Sequence, residues 1–354
     1  QRLINKESLS EEETYGVFQE ILTNQQPDLQ QGACLAALVS KGETVEEIAG
    51  AWRAIVDFDT VDVSDQMPGD LFENSGTGMD SLKTFNVSSA AAVVAAACGV
   101  NMARHGARAL TSFCGTVDIL ESIGLDVESD VSVIENSIKT TGIGLFNGMS
   151  PKIHPSALGR ILSQIRFGST LNIAASLANP ARPSLGLRGV YSPEMVPLAA
   201  DIMPCVGYRR GMVVHGSDST RTGGMDEISI TGPTLMQEFT AGSESRTEEV
   251  SPEDMGLISA RFEDIATTGN LQDERLRFVK VIAGTEHDAC IDFTAINAGA
   301  ILYLADKAPS MKDGVQQSLQ AISNGHALTK LRSWVEAQNT EPAAGLAIFD
   351  QLTL

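Results

Sequence analysis

The sequence has few basic residues, few cysteines and no long apolar run, and each shortage excludes a class of protein. Its 354 residues carry 25 Lys and Arg against 45 Asp and Glu, which gives a formal net charge of −20. That charge repels nucleic acids and anionic membranes, so we expect neither as a partner. The longest apolar run, residues 90–100, is too short and too rich in alanine to span a bilayer.

Cysteine usage and the opening residues bear on location. The five cysteines are scattered along the sequence and form no CxxC pair, so they do not suggest a disulfide framework. The opening residues show no basic segment followed by an apolar one, which is the pattern of a secretion signal. We therefore expect a protein of the cytoplasm.

The residue pattern divides the chain into two kinds of structure. Two capping boxes, Ser10 with Glu13 and Thr44 with Glu47, begin amphipathic helices within the first part of the chain. Beyond Gly76, glycine-rich turns alternate with short β-branched runs and small-residue helices, which is typical of α/β layers. The pattern predicts strands at residues 131–138 and 211–215, and helices at residues 116–123 and 295–305.

We predict an α/β fold with a small all-helical N-terminal domain and a larger α/β domain. The small domain covers residues 1–68, and residues 155–183 pack back onto it because their pattern is helical again. The large domain covers residues 69–154 and 184–354, with a central mixed sheet flanked by helices.

A glycine-rich segment is the first candidate for a binding site. Ser75-Gly76-Thr77-Gly78-Met79-Asp80-Ser81 precedes a long Ala-rich helix. A glycine turn lets backbone N–H groups approach a diphosphate, and the helix N-terminus adds free donors and the positive end of its dipole. Asn86, Ser88 and Ser89 could bond phosphate oxygens or a cation. Taken alone, the segment is explained equally well by a polar helix cap.

Two further segments carry charge in informative places. Arg104-His105-Gly106-Ala107-Arg108 concentrates positive charge in an acidic chain, which favours a bound anion over a solvated basic turn. We expect this segment to precede a short strand. Asp226 and Glu227 follow a strand and a glycine-rich loop. Mg²⁺ prefers one or two carboxylates with substrate phosphates completing its shell, so this pair is a candidate metal clamp beside a diphosphate.

Taken in order, these segments resemble the anthranilate phosphoribosyltransferase family, whose fold is shared with the pyrimidine nucleoside phosphorylases. Residues 28–51 resemble the helical domain of that family, and residues 76–89 resemble its diphosphate loop. The remaining matches follow in the expected order: His215-Gly216, Asp226-Glu227, Gly232-Pro233-Thr234 and Asn297-Ala298-Gly299.

The resemblance implies transfer of the phosphoribosyl group of 5-phosphoribosyl diphosphate to an aromatic amine, anthranilate in tryptophan biosynthesis. Magnesium assists, diphosphate leaves, and no covalent nucleophile is needed. A homodimer is also implied. The implied phosphoribosyl diphosphate ligands are Gly76, Thr77, Gly78, Asp80, Asn86, Ser88, Ser89, Arg104 and Ser112. The implied magnesium ligands are Ser88, Asp226 and Glu227. The positions implied to face the acceptor are His105, Ala107, His154, Gln164 and Arg182.

The sequence departs from the family pattern in both parts of this site. The family has Gly in place of Met79 and Ser81, and Asn in place of Ala107. The family arginine that grips the anthranilate carboxylate falls at Gln164, ten residues after His154. A neutral Gln does not hold a carboxylate as Arg does, and losing such a charged hydrogen bond costs roughly 1.5–3 kcal/mol.

These departures leave three alternatives open. One is a paralogue whose aromatic or heterocyclic acceptor lacks the carboxylate, unless Arg182 binds that group from another direction. A second is a non-catalytic nucleic-acid-binding relative, which the net charge of −20 disfavours. A third is nucleoside phosphorolysis, which is disfavoured because the lysine-histidine-serine phosphate motif of the phosphorylases does not occur.

Overall fold

The computed structural model describes residues 1–67, 69–78, 80–108, 114–165, 167–285 and 289–353. Its helices are α1 Glu11–Leu22, α2 Asp28–Lys41, α3 Val45–Asp59, α4 Val87–Ala97, α5 Thr116–Ser122, α6 Val131–Thr141, α7 Leu158–Leu162, α8 Thr170–Ala175, α9 Met195–Cys205, α10 Phe262–Ile265, α11 Leu271–Ala283, α12 Ala289–Leu304, α13 Met311–Ser323, α14 His326–Ala337 and α15 Pro342–Leu352. Its strands are β1 Phe72–Ser75, β2 Met102–Gly106, β3 Ile143–Asn147, β4 Leu185–Gly189, β5 Arg210–Ser217, β6 Gly224–Met225, β7 Thr234–Thr240 and β8 Arg246–Val250.

The strands form one mixed sheet in the order β3-β2-β1-β4-β5-β7-β8, with β6 paired to β5. Strands β3, β2, β1, β4 and β5 are parallel. Strand β7 pairs antiparallel with β5, and β8 pairs antiparallel with β7. Helix α4 packs against α12 and α14 in the large core on one side of the sheet. The predicted α/β fold with a mixed, helix-flanked sheet is therefore confirmed.

The N-terminal helices share a core with a later part of the chain. Phe18, Leu35 and Ile55 of α1–α3 lie in the same buried cluster as Leu158 of α7 and Leu171 of α8. Both predicted capping boxes begin helices, at Ser10 for α1 and at Thr44 for α3. The limits of the two domains stay a prediction, but this shared core explains why the pattern of residues 155–183 is helical.

One predicted strand is wrong. Residues 131–138 form the start of α6, in which Ile134, Ile138 and Thr141 are buried at helical spacing. The β-branched residues favoured a strand, whereas burial of one helical face against β3 decided the structure. Gly142, in a left-handed conformation with φ of 77°, ends the helix. The other predicted strand lies within β5, and the two predicted helices correspond to α5 and to most of α12.

In the described part of the chain, no helix is long and apolar enough to cross a bilayer.

Candidate active site

The candidate site lies where parallel strands β1, β2 and β4 end. Carboxyl ends of neighbouring parallel strands meet at one edge of a sheet, and the loops that follow them form a crevice. Gly189 ends β4, and a Cβ there would lie 1.6 Å from the backbone oxygen of Asp226. A residue with a side chain is therefore excluded at 189, and the Asp226 loop closes directly over β4.

The glycine-rich loop presents its backbone to Asp226. A Cβ at Gly76 would lie 2.3 Å from Oδ2 of Asp226, so glycine is required for this approach. The Gly78 N–H donates to the same oxygen at 2.6 Å, with Gly78 held at φ of 70°. The Thr77 hydroxyl lies 3.5 Å from it. Donors that accommodate a carboxylate oxygen can also accommodate a phosphate oxygen, so the predicted diphosphate loop stays a prediction that this geometry permits. Met79 lies outside the described residues.

The polar residues at the start of α4 do not act as a simple helix cap. Asn86 occupies the N-cap position without a capping hydrogen bond from its side chain. Instead, Ser89 donates to Asn86 Oδ1 at 2.7 Å, and Asn86 Nδ2 donates to the Cys114 carbonyl at 3.4 Å. The Ser88 hydroxyl donates to Oε1 of Glu227 at 2.6 Å. These contacts favour the binding-site interpretation over the cap.

Three carboxylates come together beside the loop. Burial and the negative charge of Asp226 raise the pKa of Glu227 well above its usual range. Burial and Asp226 also raise the pKa of Asp80 to about 6, although Lys83 Nζ lies 2.9 Å from its Oδ1. Asn297 fixes the loop by bonding both backbone groups of Ile228 at 3.0 Å.

The donor set at these carboxylates fits Mg²⁺. Asp226, Glu227 and Ser88 offer two carboxylates and a hydroxyl, and the buried like charges call for a cation. Among the described residues, no cluster of three or more His, Cys, Asp or Glu side chains could hold a metal by itself.

Arg104 is a buried cation with free donors. It lies within β2, and only 2% of its surface is exposed. The strand predicted to follow Arg108 would begin outside the described residues. Arg104 Nη2 donates to the Thr116 hydroxyl at 3.4 Å, but its Nε and Nη1 have no hydrogen-bond partner among the described residues. Burial lowers its pKa to about 10, against the raising effect of Glu227 and Glu73. Such donors suit an anionic ligand. Arg108 instead pairs with Asp118 and Glu121.

His105, which follows Arg104 in the sequence, lies against His154 in the fold. His105 Nε2 lies 3.1 Å from His154 Nε2, and His154 Nδ1 lies 2.7 Å from the Asp59 carbonyl oxygen. Burial, then His154 and Arg188, lower the pKa of His105 to about 3, and burial lowers the pKa of His154. Both rings are therefore neutral at pH 7. A Cβ at Gly148 would lie 2.7 Å from His105 Nε2, so glycine makes room for the pair.

The other residues predicted to face the acceptor are not held together by their contacts. Ala107 is half-buried after β2. Gln164 is exposed beyond the end of α7, and its Nε2 donates to the Arg160 carbonyl at 3.2 Å. Arg182 Nη2 lies 2.7 Å from Oδ2 of Asp62 in a half-exposed ion pair. Ser112, predicted to bind phosphoribosyl diphosphate, lies outside the described residues.

One arginine at the site was missed by the sequence interpretation. Arg188 lies within β4 beside Ser75 of β1 and is 4% exposed. Its Nη1 donates to the Ser75 hydroxyl at 2.8 Å and its Nη2 to the Ser176 hydroxyl at 2.6 Å. A single arginine in the apolar run Leu185–Gly189 was the available signal, because charged side chains are rare in buried parallel strands and are usually paired there.

Comparison with known proteins agrees with this architecture. Residues 1–58 match the helical bundle domain of the glycosyl transferase family, and residues 69–328 match its a/b domain. The anthranilate phosphoribosyltransferase of Methanothermobacter thermautotrophicus is 34% identical over 335 residues, covering 93% of this chain and 94% of that protein. The enzyme of the same name from Anaeromyxobacter sp. is 36% identical over 336 residues, covering 93% and 95%.

Solved structures show the same fold. The anthranilate phosphoribosyltransferase of Thermus thermophilus superposes with a TM-score of 0.84 at 29% identity, covering 95% of this chain and 98% of that one. The Saccharomyces cerevisiae enzyme, solved in complex with PRPP and Mg, superposes with a TM-score of 0.80 at 22% identity over 93% of each chain. The chain therefore belongs to the glycosyl transferase family that contains these enzymes, and it is a phosphoribosyltransferase.

Proposed function

We propose that the protein transfers the phosphoribosyl group of 5-phosphoribosyl diphosphate to an aromatic amine, with anthranilate as the acceptor in tryptophan biosynthesis. The bond between C1 of the ribose and the diphosphate oxygen breaks, a bond between C1 and the amine nitrogen forms, and the amine loses a proton. Arg104 carries the proposal, because its Nε and Nη1 are buried without partners among the described residues, beside a glycine loop and an acidic pair.

The diphosphate is bound mainly by groups that the fold already holds in place. The Gly76–Gly78 backbone supplies N–H donors, and Asn86, Ser88 and Ser89 supply short polar side chains at the N-terminus of α4. Arg104 balances the charge of the leaving group. Fixed donors cost no reorganisation as negative charge develops on the diphosphate, so positioning and charge neutralisation provide the catalysis.

Magnesium is proposed as the metal, and Ser88, Asp226 and Glu227 are its proposed ligands. Bound there, Mg²⁺ would supply positive charge to the leaving diphosphate. The fit of the donor set supports this, as does the PRPP and Mg complex of the yeast enzyme. Because Asp226 contacts the Gly78 N–H, the same carboxylate links the metal ligands to the diphosphate loop.

The acceptor is proposed to meet the neutral histidine pair. Neutral His105 and His154 present flat rings and no charge to an aromatic amine, which suits a nucleophile that must keep its lone pair. The complex of the yeast enzyme with 4-fluoroanthranilate supports an aromatic acceptor. Ala107, Gln164 and Arg182 stay as predicted acceptor positions without a contact that favours them.

A homodimer in the cytoplasm is the proposed working form. The homodimer is proposed from the resemblance to the anthranilate phosphoribosyltransferase family.

A second candidate is transfer to an amine that lacks a carboxylate. It is favoured by Gln164, which is neutral where the family has a carboxylate-binding arginine. The Gln164 side chain is exposed, and its Nε2 donates to the Arg160 carbonyl oxygen.

Product analysis tests both candidates. The protein is incubated with phosphoribosyl diphosphate, Mg²⁺ and either anthranilate or 2-aminobenzamide, and phosphoribosylated amine and diphosphate are measured by mass spectrometry. We expect both products in equal amounts with anthranilate. Product from 2-aminobenzamide alone would establish the second candidate, and no product from a panel of aromatic amines would refute transfer to this class.

A further inference from the structure

Asn297 is a polar residue in the middle of a buried apolar helix. It lies in α12 between Ile296 and Ala298, which are fully buried, and only 1% of its own surface is exposed. Asparagine is unfavourable inside a helix, because its side chain competes with the backbone for hydrogen bonds. A buried amide left without partners also costs free energy, so we expect this side chain to make specific hydrogen bonds.

Both ends of the Asn297 amide bond the backbone of one residue outside α12. Its Oδ1 accepts from the Ile228 N–H at 3.0 Å, and its Nδ2 donates to the Ile228 carbonyl oxygen at 3.0 Å. Nδ2 also donates to the carbonyl oxygen of Phe293, one turn earlier in α12, at 2.9 Å. Because one planar amide bonds both backbone groups of Ile228, it fixes the position and the orientation of that residue. We call these two bonds the Asn297 clamp.

The Asn297 clamp acts on the residue that directly follows the proposed metal ligands Asp226 and Glu227. That residue, Ile228, is fully buried. Oε1 of Glu227 accepts from the hydroxyl of Ser88, which lies in α4, at 2.6 Å. Helix α4 packs against α12 in the large core. One pair of packed helices therefore holds both the proposed hydroxyl ligand and, through the clamp, the backbone beside the carboxylate ligands.

We propose that Asn297 is a positioning residue that keeps the two carboxylates of the metal site at the geometry that Mg²⁺ requires. The inference rests on the proposed function, which assigns Mg²⁺ to Ser88, Asp226 and Glu227. Mg²⁺ demands near-ideal octahedral geometry, so a small displacement of its carboxylates weakens binding. Groups that orient metal ligands without touching the metal typically change its affinity about 10- to 100-fold when they are removed. The clamp should therefore set how much Mg²⁺ the protein needs in order to bind phosphoribosyl diphosphate.

A second amide clamp elsewhere in the fold provides a matched control. Gln338 directly follows α14 and is fully buried. Its Oε1 accepts from the Leu145 N–H at 2.8 Å, and its Nε2 donates to the Leu145 carbonyl oxygen at 2.9 Å. Like Asn297, it has a further partner four residues earlier, here Nε1 of Trp334 at 2.9 Å. Leu145 lies in β3 at the edge of the sheet, so this clamp has the same chemistry but holds a strand instead of the metal loop.

Calorimetric titration of phosphoribosyl diphosphate over a series of Mg²⁺ concentrations, without acceptor, tests the clamp apart from turnover. Asn297→Leu keeps the approximate size of the side chain and removes both polar groups. We expect it to raise the Mg²⁺ concentration for half-maximal binding about 10-fold, and we expect saturating Mg²⁺ to restore most of the affinity. Gln338→Met should shift that concentration less than about threefold, since no proposed metal ligand lies on β3.

Thermal unfolding separates positioning from a general loss of structure. Asn297→Leu and Gln338→Met each take an amide partner away from two backbone groups of a buried residue, so we expect both to lower the melting temperature by similar amounts. Only Asn297→Leu should change the Mg²⁺ requirement. Asn297→Ser, whose one hydroxyl replaces the two polar groups of the amide, is the milder second variant if Asn297→Leu does not fold. Its Mg²⁺ requirement should rise in the same direction.

Three results would overturn the inference. The Asn297 variants could need no more Mg²⁺ than Gln338→Met does, or they could lose the same affinity at every Mg²⁺ concentration, which would indicate a general loss of structure. Wild type could also fail to bind phosphoribosyl diphosphate in a Mg²⁺-dependent way. If the clamp controls metal-dependent binding but no aromatic amine is phosphoribosylated, the proposed function fails while the role of Asn297 stands.

Discussion

The two halves of the site are built in different ways. The proposed diphosphate half consists of the glycine loop, the start of α4, Arg104 and the pair Asp226 and Glu227, and its donors include backbone N–H groups held by tight glycine contacts. The proposed acceptor half consists of His105 and His154, whose rings meet although the two residues lie far apart in sequence.

The difference shows which functions a fold fixes and which it leaves to side chains. The proposed diphosphate half depends on backbone geometry that few substitutions can keep, as at Gly76 and Gly189, where a Cβ would overlap Asp226. The proposed acceptor half depends instead on two side chains that the fold brings together from distant positions in the sequence.

Removing the metal ligands should have the largest effect and should break only the diphosphate half. We expect Asp226→Asn to lower the rate of transfer at least 100-fold, comparable to the loss of an oxyanion-stabilising group, and chelation of Mg²⁺ to do the same. Steady-state kinetics measure the rate of transfer, and calorimetry measures the binding of phosphoribosyl diphosphate. Glu263→Gln, an exposed acid, is the control. Full Mg²⁺-dependent affinity in Asp226→Asn would refute the assignment.

A methyl group at the glycine loop should have the next largest effect. In Gly76→Ala the new Cβ would meet Oδ2 of Asp226 at 2.3 Å and displace either the loop or the carboxylate. We expect the Kd of phosphoribosyl diphosphate to rise about 10- to 100-fold, the loss of one or two charge-assisted bonds, with anthranilate affinity kept. Gly159→Ala, whose Cβ would meet nothing within 4 Å, should bind both as wild type does.

Acid should destabilise the acceptor half through its neutral histidines. Burial holds the pKa of His105 near 3, against 6.5 for an unperturbed ring, so below pH 6.5 the unfolded chain takes up a proton that the folded chain refuses. Its contribution to stability is complete above about pH 6.5 and is lost as pH falls towards 3. Between pH 7 and pH 5 this linkage lowers the free energy of unfolding by about 2 kcal/mol.

Urea unfolding at the two pH values, compared between wild type and His105→Asn, isolates this effect from the titration of carboxylates. The wild type should lose more stability on acidification than the variant. An equal loss in both proteins would show that His105 is protonated in the folded state.

A methyl group beside the histidine pair should have the smallest effect and should spare the diphosphate half. In Gly148→Ala the Cβ would lie 2.7 Å from His105 Nε2 and push the ring from His154. We expect the KM for the acceptor to rise about 10-fold, which corresponds to one lost hydrogen bond, with the Kd of phosphoribosyl diphosphate unchanged. A rise in the latter would show that the two halves are not separate.

The two proposed halves rest on different kinds of sequence signal, for physical reasons. A glycine turn before a helix and adjacent carboxylates after a strand are local signals, because their neighbours in sequence are also neighbours in space. Gln164 was placed by counting along a continuous helix from His154, but α7 ends at Leu162 and leaves Gln164 exposed.

Two other differences have the same origin. Arg188 belongs to no recognisable motif. Its contacts appear only in the fold, where Ser75 and Ser176, far apart in sequence, meet its guanidinium. Residues 131–138 were read as a strand from local β-branched composition, whereas packing of Ile134 and Ile138 beside β3 makes them helical. Contacts between segments far apart in sequence decided the first case, whereas packing of α6 against β3 and α14 decided the second.

Sequential calorimetry tests the central claim most directly, because it addresses both halves in one protein. Phosphoribosyl diphosphate with Ca²⁺ in place of Mg²⁺, to slow turnover, is titrated first, and anthranilate is then titrated into the resulting complex. The account predicts metal-dependent binding of the sugar diphosphate, followed by binding of anthranilate to the loaded protein. Failure of the sugar diphosphate to bind with either metal would contradict it.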